Sequence, residues 1–274
     1  MNTLDKIIAD KRLYVKEKQE LVPVKLLEKS IYYTSKTVSL KEYILRKDKH
    51  GIIAEIKKRS PSKGNINLYV DIEKTSIGYM QAGASAISVL TDTPYFGGKN
   101  EDLTLVRKFN FCPILRKDFI IDEYQIIEAR SIGADAILLI ASVLSADEIK
   151  DFTCLAHSLG LEVLLEIHSK EEVDKISEYN SIVGINNRNL GSLSIDMQNS
   201  NLLLPYIKGV EVKISESGIN CPEDVLELRS LGFNGFLIGS LFMKSSRPHL
   251  AFKEFMAELN LPSREAGNKS LSYA

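Results

Sequence analysis

The segment Ile52–Lys57 sets an acid and a base two positions apart in an otherwise apolar run. The period of two of an extended chain sends Ile53, Glu55 and Lys57 to one face and Ile52, Ala54 and Ile56 to the other. Burying both ionisable groups is costly unless they pair with each other or with a ligand, so they form either a structural ion pair or part of a site. Further apolar runs end in the same way, at Lys117, Glu166, Asn186 and Glu216. Any one of these alone is equally well explained as a solvated charge at a strand exit. Together they supply ammonium groups for acid duty and carboxylates to act as base and to tune them.

A second constellation suits an anion. Ser215-Glu-Ser-Gly218 and Gly239-Ser240 offer small residues whose backbone N–H groups can approach a phosphate. Ile238–Met243 reads as a short helix with its positive end toward the same place; the plainer alternative is that these glycines only make turns. Arg59-Ser-Pro-Ser62, followed by Gly64, reads as a Pro-stiffened lid with Ser60 in reach of a phosphate. Tyr95-Phe-Gly-Gly98 sets the Phe96 ring beside two glycines as an aromatic wall. Both segments also fit ordinary connecting loops. His50, His157, His168 and His249 lack ligand spacing, so no metal is expected, and His168 reads as a solvated loop histidine.

Positioning these groups requires a scaffold, and the hydrophobic pattern names one. From His50 onward, β-branched runs alternate with helical periodicity eight times. The predicted strands are Ile52–Lys57, Ala86–Leu90, Pro113–Lys117, Ala136–Ile140, Glu162–Ile167, Ile182–Asn186, Glu211–Ser215 and Gly235–Ile238. Amphipathic stretches lie near Ile72–Gln81, Asp102–Asn110, Glu123–Ser131, Ala146–Leu159, Lys170–Glu178, Met197–Tyr206 and Pro222–Leu231. Ser145-Ala-Asp-Glu forms a capping box, Pro222 opens a helix, and Gly83, Gly133, Gly160 and Gly232 end helices before the next strand. The pattern predicts an α/β fold, a (β/α)8 TIM barrel with an N-terminal helical extension. Its strand ends then share one rim. Residues 1–48 form the extension, packed through Leu4, Ile7, Ile8, Val24, Leu26 and Leu27. Residues 49–260 form the barrel and 261–274 a fraying polar tail, all within a single domain.

Bulk properties narrow the partners. The 274 residues carry 35 basic and 36 acidic side chains, no Trp and 44% hydrophobic residues, which leaves no electrostatic footprint for nucleic acid. Three scattered cysteines suggest neither disulfides nor a zinc knuckle, and a reducing compartment follows. Neither a signal peptide nor a membrane span is expected, since Met1–Glu20 is charged and Ala136–Val143 is too short. The expectation is a cytoplasmic monomer that binds a small phosphorylated molecule.

Ile53-Ala-Glu-Ile-Lys-Lys-Arg-Ser-Pro-Ser62 closely resembles the signature of the indole-3-glycerol phosphate synthase family. Leu115-Arg-Lys-Asp-Phe-Ile120, Gly184-Ile-Asn-Asn-Arg-Asn-Leu190, Ser215-Glu-Ser-Gly-Ile219 and Leu237-Ile-Gly-Ser240 resemble its later blocks, in order. The resemblance implies conversion of 1-(o-carboxyphenylamino)-1-deoxyribulose 5-phosphate to indole-3-glycerol phosphate, CO2 and water, in tryptophan biosynthesis. It implies no cofactor, and contacts with other enzymes of that pathway would be transient. The family's catalytic lysine falls on Lys117, its Glu-x-Lys pair on Glu55 and Lys57, and its remaining polar strand ends on Glu166, Asn186 and Glu216. Arg188 matches the arginine at the carboxylated aromatic end. Ser60, Phe96, Ser217, Gly218, Leu237, Gly239 and Ser240 match positions around the ligand and its phosphate. Lys99 and Asn189 depart from the family's usual serine and aspartate, which affects loop details.

On this reading Lys117 donates to the ketone oxygen during ring closure, and Lys57 and Glu166 share dehydration, though either lysine could serve in either step. Glu55 and Glu216 orient the lysines, Asn186 holds a hydroxyl, and acid duty favours some lowering of the lysine pKa. A Schiff-base aldolase, phosphoribosylanthranilate isomerase and a silent binder of a phosphorylated metabolite remain as rivals. The isomerase fits less well because Glu55 and Lys57 stand where that family resembles a cysteine base.

Overall fold

A computed structural model describes residues 3–189 and 191–261 of the chain. Eight strands alternate with helices: β1 (Ile52–Ile56), β2 (Ala86–Leu90), β3 (Ile114–Lys117), β4 (Ala136–Ile140), β5 (Glu162–Ile167), β6 (Ile182–Asn186), β7 (Val212–Glu216) and β8 (Gly235–Ile238). All pair in parallel and close into a barrel in the order β1-β8-β7-β6-β5-β4-β3-β2, β2 returning to β1. The alternation predicted for the first strand holds around the ring. Ile53, Leu115, Leu138, Leu164, Ile214 and Leu237 fill the interior. Ile52, Ala54, Ile56, Val89, Ile137 and Leu165 face the helices.

Bounds of three strands shift by a residue. Pro113 has no N–H to enter a ladder, and β3 begins at Ile114. Glu211 turns outward to Lys41 at 3.0 Å, whereas Glu216 is drawn into β7 opposite Asn186. The first strand ends at Ile56, leaving Lys57 at the rim.

Helix ends shift for local reasons. The stretch predicted over Lys170–Glu178 is helical only over Lys170–Val173; Asn180 Oδ1 accepts from Ser177 N at 2.9 Å, giving the backbone a turn instead. Pro205 breaks Met197–Tyr206 into an α-helix over Gln198–Leu203 and a 3-10 turn over Leu204–Tyr206. The stretch placed at Asp102–Asn110 is observed over Asn100–Phe109. The capping box at Ser145 and the opening proline at 222 are present, and the four helix-ending glycines all have positive φ. A helix over Pro248–Leu259, absent from the sequence reading, packs Phe252 against Tyr79 and Phe242, each with ring centroids 5.0 Å apart.

The N-terminal extension holds helices Thr3–Leu21, Val24–Leu27 and Leu40–Leu45. Ile7, Leu4 and Ile8 pack on the interior cluster as predicted, as do Leu40 and Ile44, whereas Leu26 is exposed because Leu27 and Val24 take the packed face. Lys11 is buried and ion-paired to Asp92 at 2.6 Å and Asp118 at 2.8 Å. Asp118 also meets Arg116, which points outward from β3 to Glu128 at 2.6 Å. This network bolts the first helix to the exits of β2 and β3. Apart from Leu261, the polar tail lies outside the described residues. No described helix is long and apolar enough to cross a membrane.

Candidate active site

At the C-terminal ends of the strands lies a cavity of about 360 Å³, into which Glu55, Lys57, Lys117, Glu166, Asn186 and Glu216 project. Lys117 Nζ stands 2.9 Å from Glu166 Oε2 and 2.9 Å from Glu216 Oε2, and Lys57 pairs with Glu55. Two glycines make room for these carboxylates. A Cβ on Gly184 would stand 2.2 Å from Glu216 Oε1, and one on Gly239 2.4 Å from Glu55 Oε1. Gly239 has a negative φ, so it is needed for this close approach as much as for any turn.

Burial alone would lower the pKa of Lys117, but Glu166, Glu216 and Glu55 outweigh it and hold the ammonium charged well above its ordinary range. This corrects the expected lowering. The two flanking carboxylates are unequal. Burial raises both, yet Lys117 and His168 pull Glu166 below the usual carboxylate range. Glu216 is pushed up to about 8, burial and the Glu166 charge prevailing over Lys117.

His168 is not the solvated histidine the sequence suggested. Its Nε2 lies 3.1 Å from Glu166 Oε1 and its side chain is 10% exposed. The short helix behind it returns Glu172, whose Oε2 accepts from His168 N at 2.7 Å and keeps the ring inward. Asn199, also unrecognised in the sequence, donates to the carbonyls of His168 and Asn186 at 3.1 Å each, tying the β5 and β6 exits together.

The predicted anion end shares the cavity. Ser217 and Gly218 follow β7 with φ of 67° and 90°, an unusual pair that costs strain at the serine. Asn187 Nδ2 donates to Ser217 O at 3.1 Å and holds this turn. Gly239 and Ser240 follow β8; the short helix predicted over Ile238–Met243 runs only over Ser240–Met243, because Ile238 completes the strand, and Leu237 lines the floor. Lys63 and Lys244 line the same space. Burial lowers the Lys63 pKa, with Lys244, Arg188 and Lys57 adding to the effect, so cations converge here. The sequence reading passed over both lysines.

Ser60 lies apart, in an adjoining hollow of about 80 Å³ lined also by Leu4, Ile7, Phe96, Phe119 and Arg188. Its Oγ accepts from Lys63 N at 3.2 Å within the loop that follows β1. The Phe96 and Phe119 rings stand 6.0 Å apart as a wall, Phe119 coming from the Leu115–Ile120 block with no signal of its own in the sequence. Arg188 Nη1 reaches Ser62 Oγ at 3.2 Å, linking the loop after β1 to the β6 exit. The first helix therefore roofs part of the site.

Similarity to known proteins agrees with this geometry. Solved chains from Pyrococcus furiosus, one of the tryptophan synthase a2b2 complex and one a mutant tryptophan synthase alpha-subunit, superpose with TM-scores of 0.57 and 0.58. Each covers 77% of this chain and 98% of its own, at 18% and 16% identity, a likeness of fold. A protein from Bacteroides thetaiotaomicron called indole-3-glycerol phosphate synthase is 45% identical over 92% of this chain and 97% of its own. One of the same name from Clostridium acetobutylicum is 41% identical over the same shares. With the family model for indole-3-glycerol phosphate synthase matching residues 4–255, the chain belongs to the indole-3-glycerol phosphate synthase family.

Proposed function

We propose that the cavity closes, decarboxylates and dehydrates 1-(o-carboxyphenylamino)-1-deoxyribulose 5-phosphate, giving indole-3-glycerol phosphate. The observation that carries this reading is the Lys117 ammonium held between Glu166 and Glu216 at the cavity floor. In ring closure the aromatic carbon bearing the carboxylate bonds to the ketone carbon, and the ketone oxygen gathers negative charge. Lys117 donates there. Its raised pKa is no obstacle, because an alkoxide is more basic than the ammonium even in this setting. Loss of CO2 leaves its electron pair to restore the aromatic ring. The new hydroxyl then departs as water with a proton from a second acid, while a base takes a proton from the neighbouring ring carbon.

Lys57 and Glu166 share that second step, Glu55 and Glu216 steer the lysines, and Asn186 holds a hydroxyl. Arg188 meets the substrate carboxylate beside the Phe96 wall, and Ser217, Gly218, Gly239 and Ser240 cradle the phosphate, with Leu237 beneath and Ser60 in the lid. A Schiff base requires a neutral amine, and Lys117 is held charged, which disfavours the aldolase reading. The chain acts as a single unit, a cytoplasmic monomer in this reading.

Mixing the protein with the carboxyphenylamino substrate and following indole fluorescence tests the proposal. Lys117→Ala should lower turnover by at least about 100-fold with the fold retained by circular dichroism. Near-parental turnover in that variant removes Lys117 from its role.

A further inference from the structure

We propose that His168 is a positioning residue for the same reaction, its ring set behind Glu166 so that this carboxylate stays aimed at Lys117. The inference deepens the functional reading and rests on it. Glu166 sends its two oxygens to different basic groups, Oε2 to Lys117 Nζ at 2.9 Å inside the barrel and Oε1 to within 3.1 Å of His168 Nε2 on the rim, an ion-pair distance without the alignment of a hydrogen bond. Beyond the ring, Glu172 Oε2 lies 3.5 Å from Nδ1. The charged groups facing His168 are thus Glu166 of β5 and Glu172 of the following helix, with Lys117 of β3 across Glu166.

Burial would lower the ring's pKa, yet the two carboxylates prevail and push it up to about 9. The ring is therefore cationic at neutral pH. Glu216 shares Lys117 with Glu166 but forms no second ion pair among the described residues. The histidine breaks what would be a symmetric pair of carboxylates. One is left ionised and able to take a proton, the other protonated and able to give one.

Two variants test this. His168→Leu removes the charge and the ring, and His168→Gln keeps a polar group of similar reach without charge, so a folding failure of the first leaves the second decisive. For both, kcat should fall about 10-fold or more while KM stays within about 3-fold, since orientation at the reacting centre is lost and substrate contacts are not. The acidic limb of the kcat–pH profile should move upward by at least about one unit, because Glu166 loses a cation. A merely structural residue would lower thermal stability and leave that limb in place. Independently of activity, the His168 ring resonance, identified by its absence in His168→Gln, should remain that of an imidazolium through about pH 7.5. The proposal is overturned by an unmoved limb with kcat within about 2-fold of the parent, or by a ring that titrates at or below about 6.5. A parent protein that makes no indole defeats the functional reading, whereas an active parent with unaffected variants defeats only this inference.

Discussion

Lys11→Met tests whether the first helix is part of the site's framework. The Lys11 ammonium is 4% exposed and lies 2.6 Å from Asp92 and 2.8 Å from Asp118. Methionine keeps the apolar stem and is one heavy atom shorter, so the substitution removes the charge and little volume. Asp118 would keep Thr91 Oγ1 at 2.6 Å and Arg116 at 3.2 Å, but Asp92 Oδ1 would keep nothing. Leaving a buried carboxylate without its cation costs about 3–5 kcal/mol. At roughly 2–4 °C per kcal/mol for a chain of this size, the melting temperature should fall by roughly 6–20 °C.

In urea the midpoint should drop with an unchanged slope. The pH dependence of the deficit follows from the two partners. Lys11 and Arg116 overcome burial to hold Asp118 below the usual carboxylate range, so its contribution is present above the unfolded pKa and lost as pH falls through the folded one. Lys11 is raised, Asp118 and Asp92 overcoming burial, so its share is present below the unfolded value and lost at still higher pH. The deficit should thus be flat from about pH 5 to 9. Because Asp92 caps the helix carrying Phe96 and Asp118 adjoins Lys117, kcat/KM should fall as well. A stability loss below about 1 kcal/mol would refute the claim that this pair anchors the extension.

Two further outcomes follow from close packing and linkage. In Gly184→Ala the new methyl would press on Glu216 Oε1 from 2.2 Å, displacing it from Lys117; kcat should fall about 100-fold, with about 1–3 kcal/mol of stability lost in a urea titration. Turnover within about 2-fold of the parent would show that Glu216 relocates without consequence. His168, raised from 6.5 to about 9, contributes stability that is fully present below about pH 6.5 and lost as pH rises through about 9. The parent should therefore lose about 3 kcal/mol more than His168→Gln between those limits, with Glu216 adding a separate decline up to about pH 8 in both. Parallel stability curves for the two proteins would contradict the linkage.

The features legible in the sequence were those governed by local periodicity. Strand alternation placed Glu55, Lys57, Lys117, Glu166 and Asn186 inward because each residue's face follows from its neighbours. The helix Pro248–Leu259 carried a readable signal too, Pro at its start and Phe252, Phe255, Met256 and Leu259 at helical spacing. What escaped was set by contacts distant in sequence. The need for Gly184 depends on the register of β6 against β7, which brings Glu216 alongside. Lys11 finds its carboxylates only once the extension lies across the rim, and His168 is buried only because the chain returns Glu172 to it. Lys63 and Lys244 sit in exposed-looking loops, and their convergence needs both the lid and β8 in place.

The charge arrangement also bears on how the proposed reaction could turn over. With Glu216 holding its proton, the cavity floor carries two ammonium groups and two carboxylates, close to neutral. The rim is different, because Lys63, Lys244 and Arg188 bring cations without matching acids among the cavity's lining residues there. A substrate with a carboxylate at one end and a phosphate at the other supplies the missing anions. In the proposed reaction decarboxylation would remove one of them as a neutral gas, leaving Arg188 to face an uncharged ring system while the phosphate end stayed held. On this reading the chemical step itself would weaken binding at the aromatic end, beside the hollow that Leu4 and Ile7 of the first helix line. The same residues that draw the substrate in through its charge would let the product leave once that charge is gone.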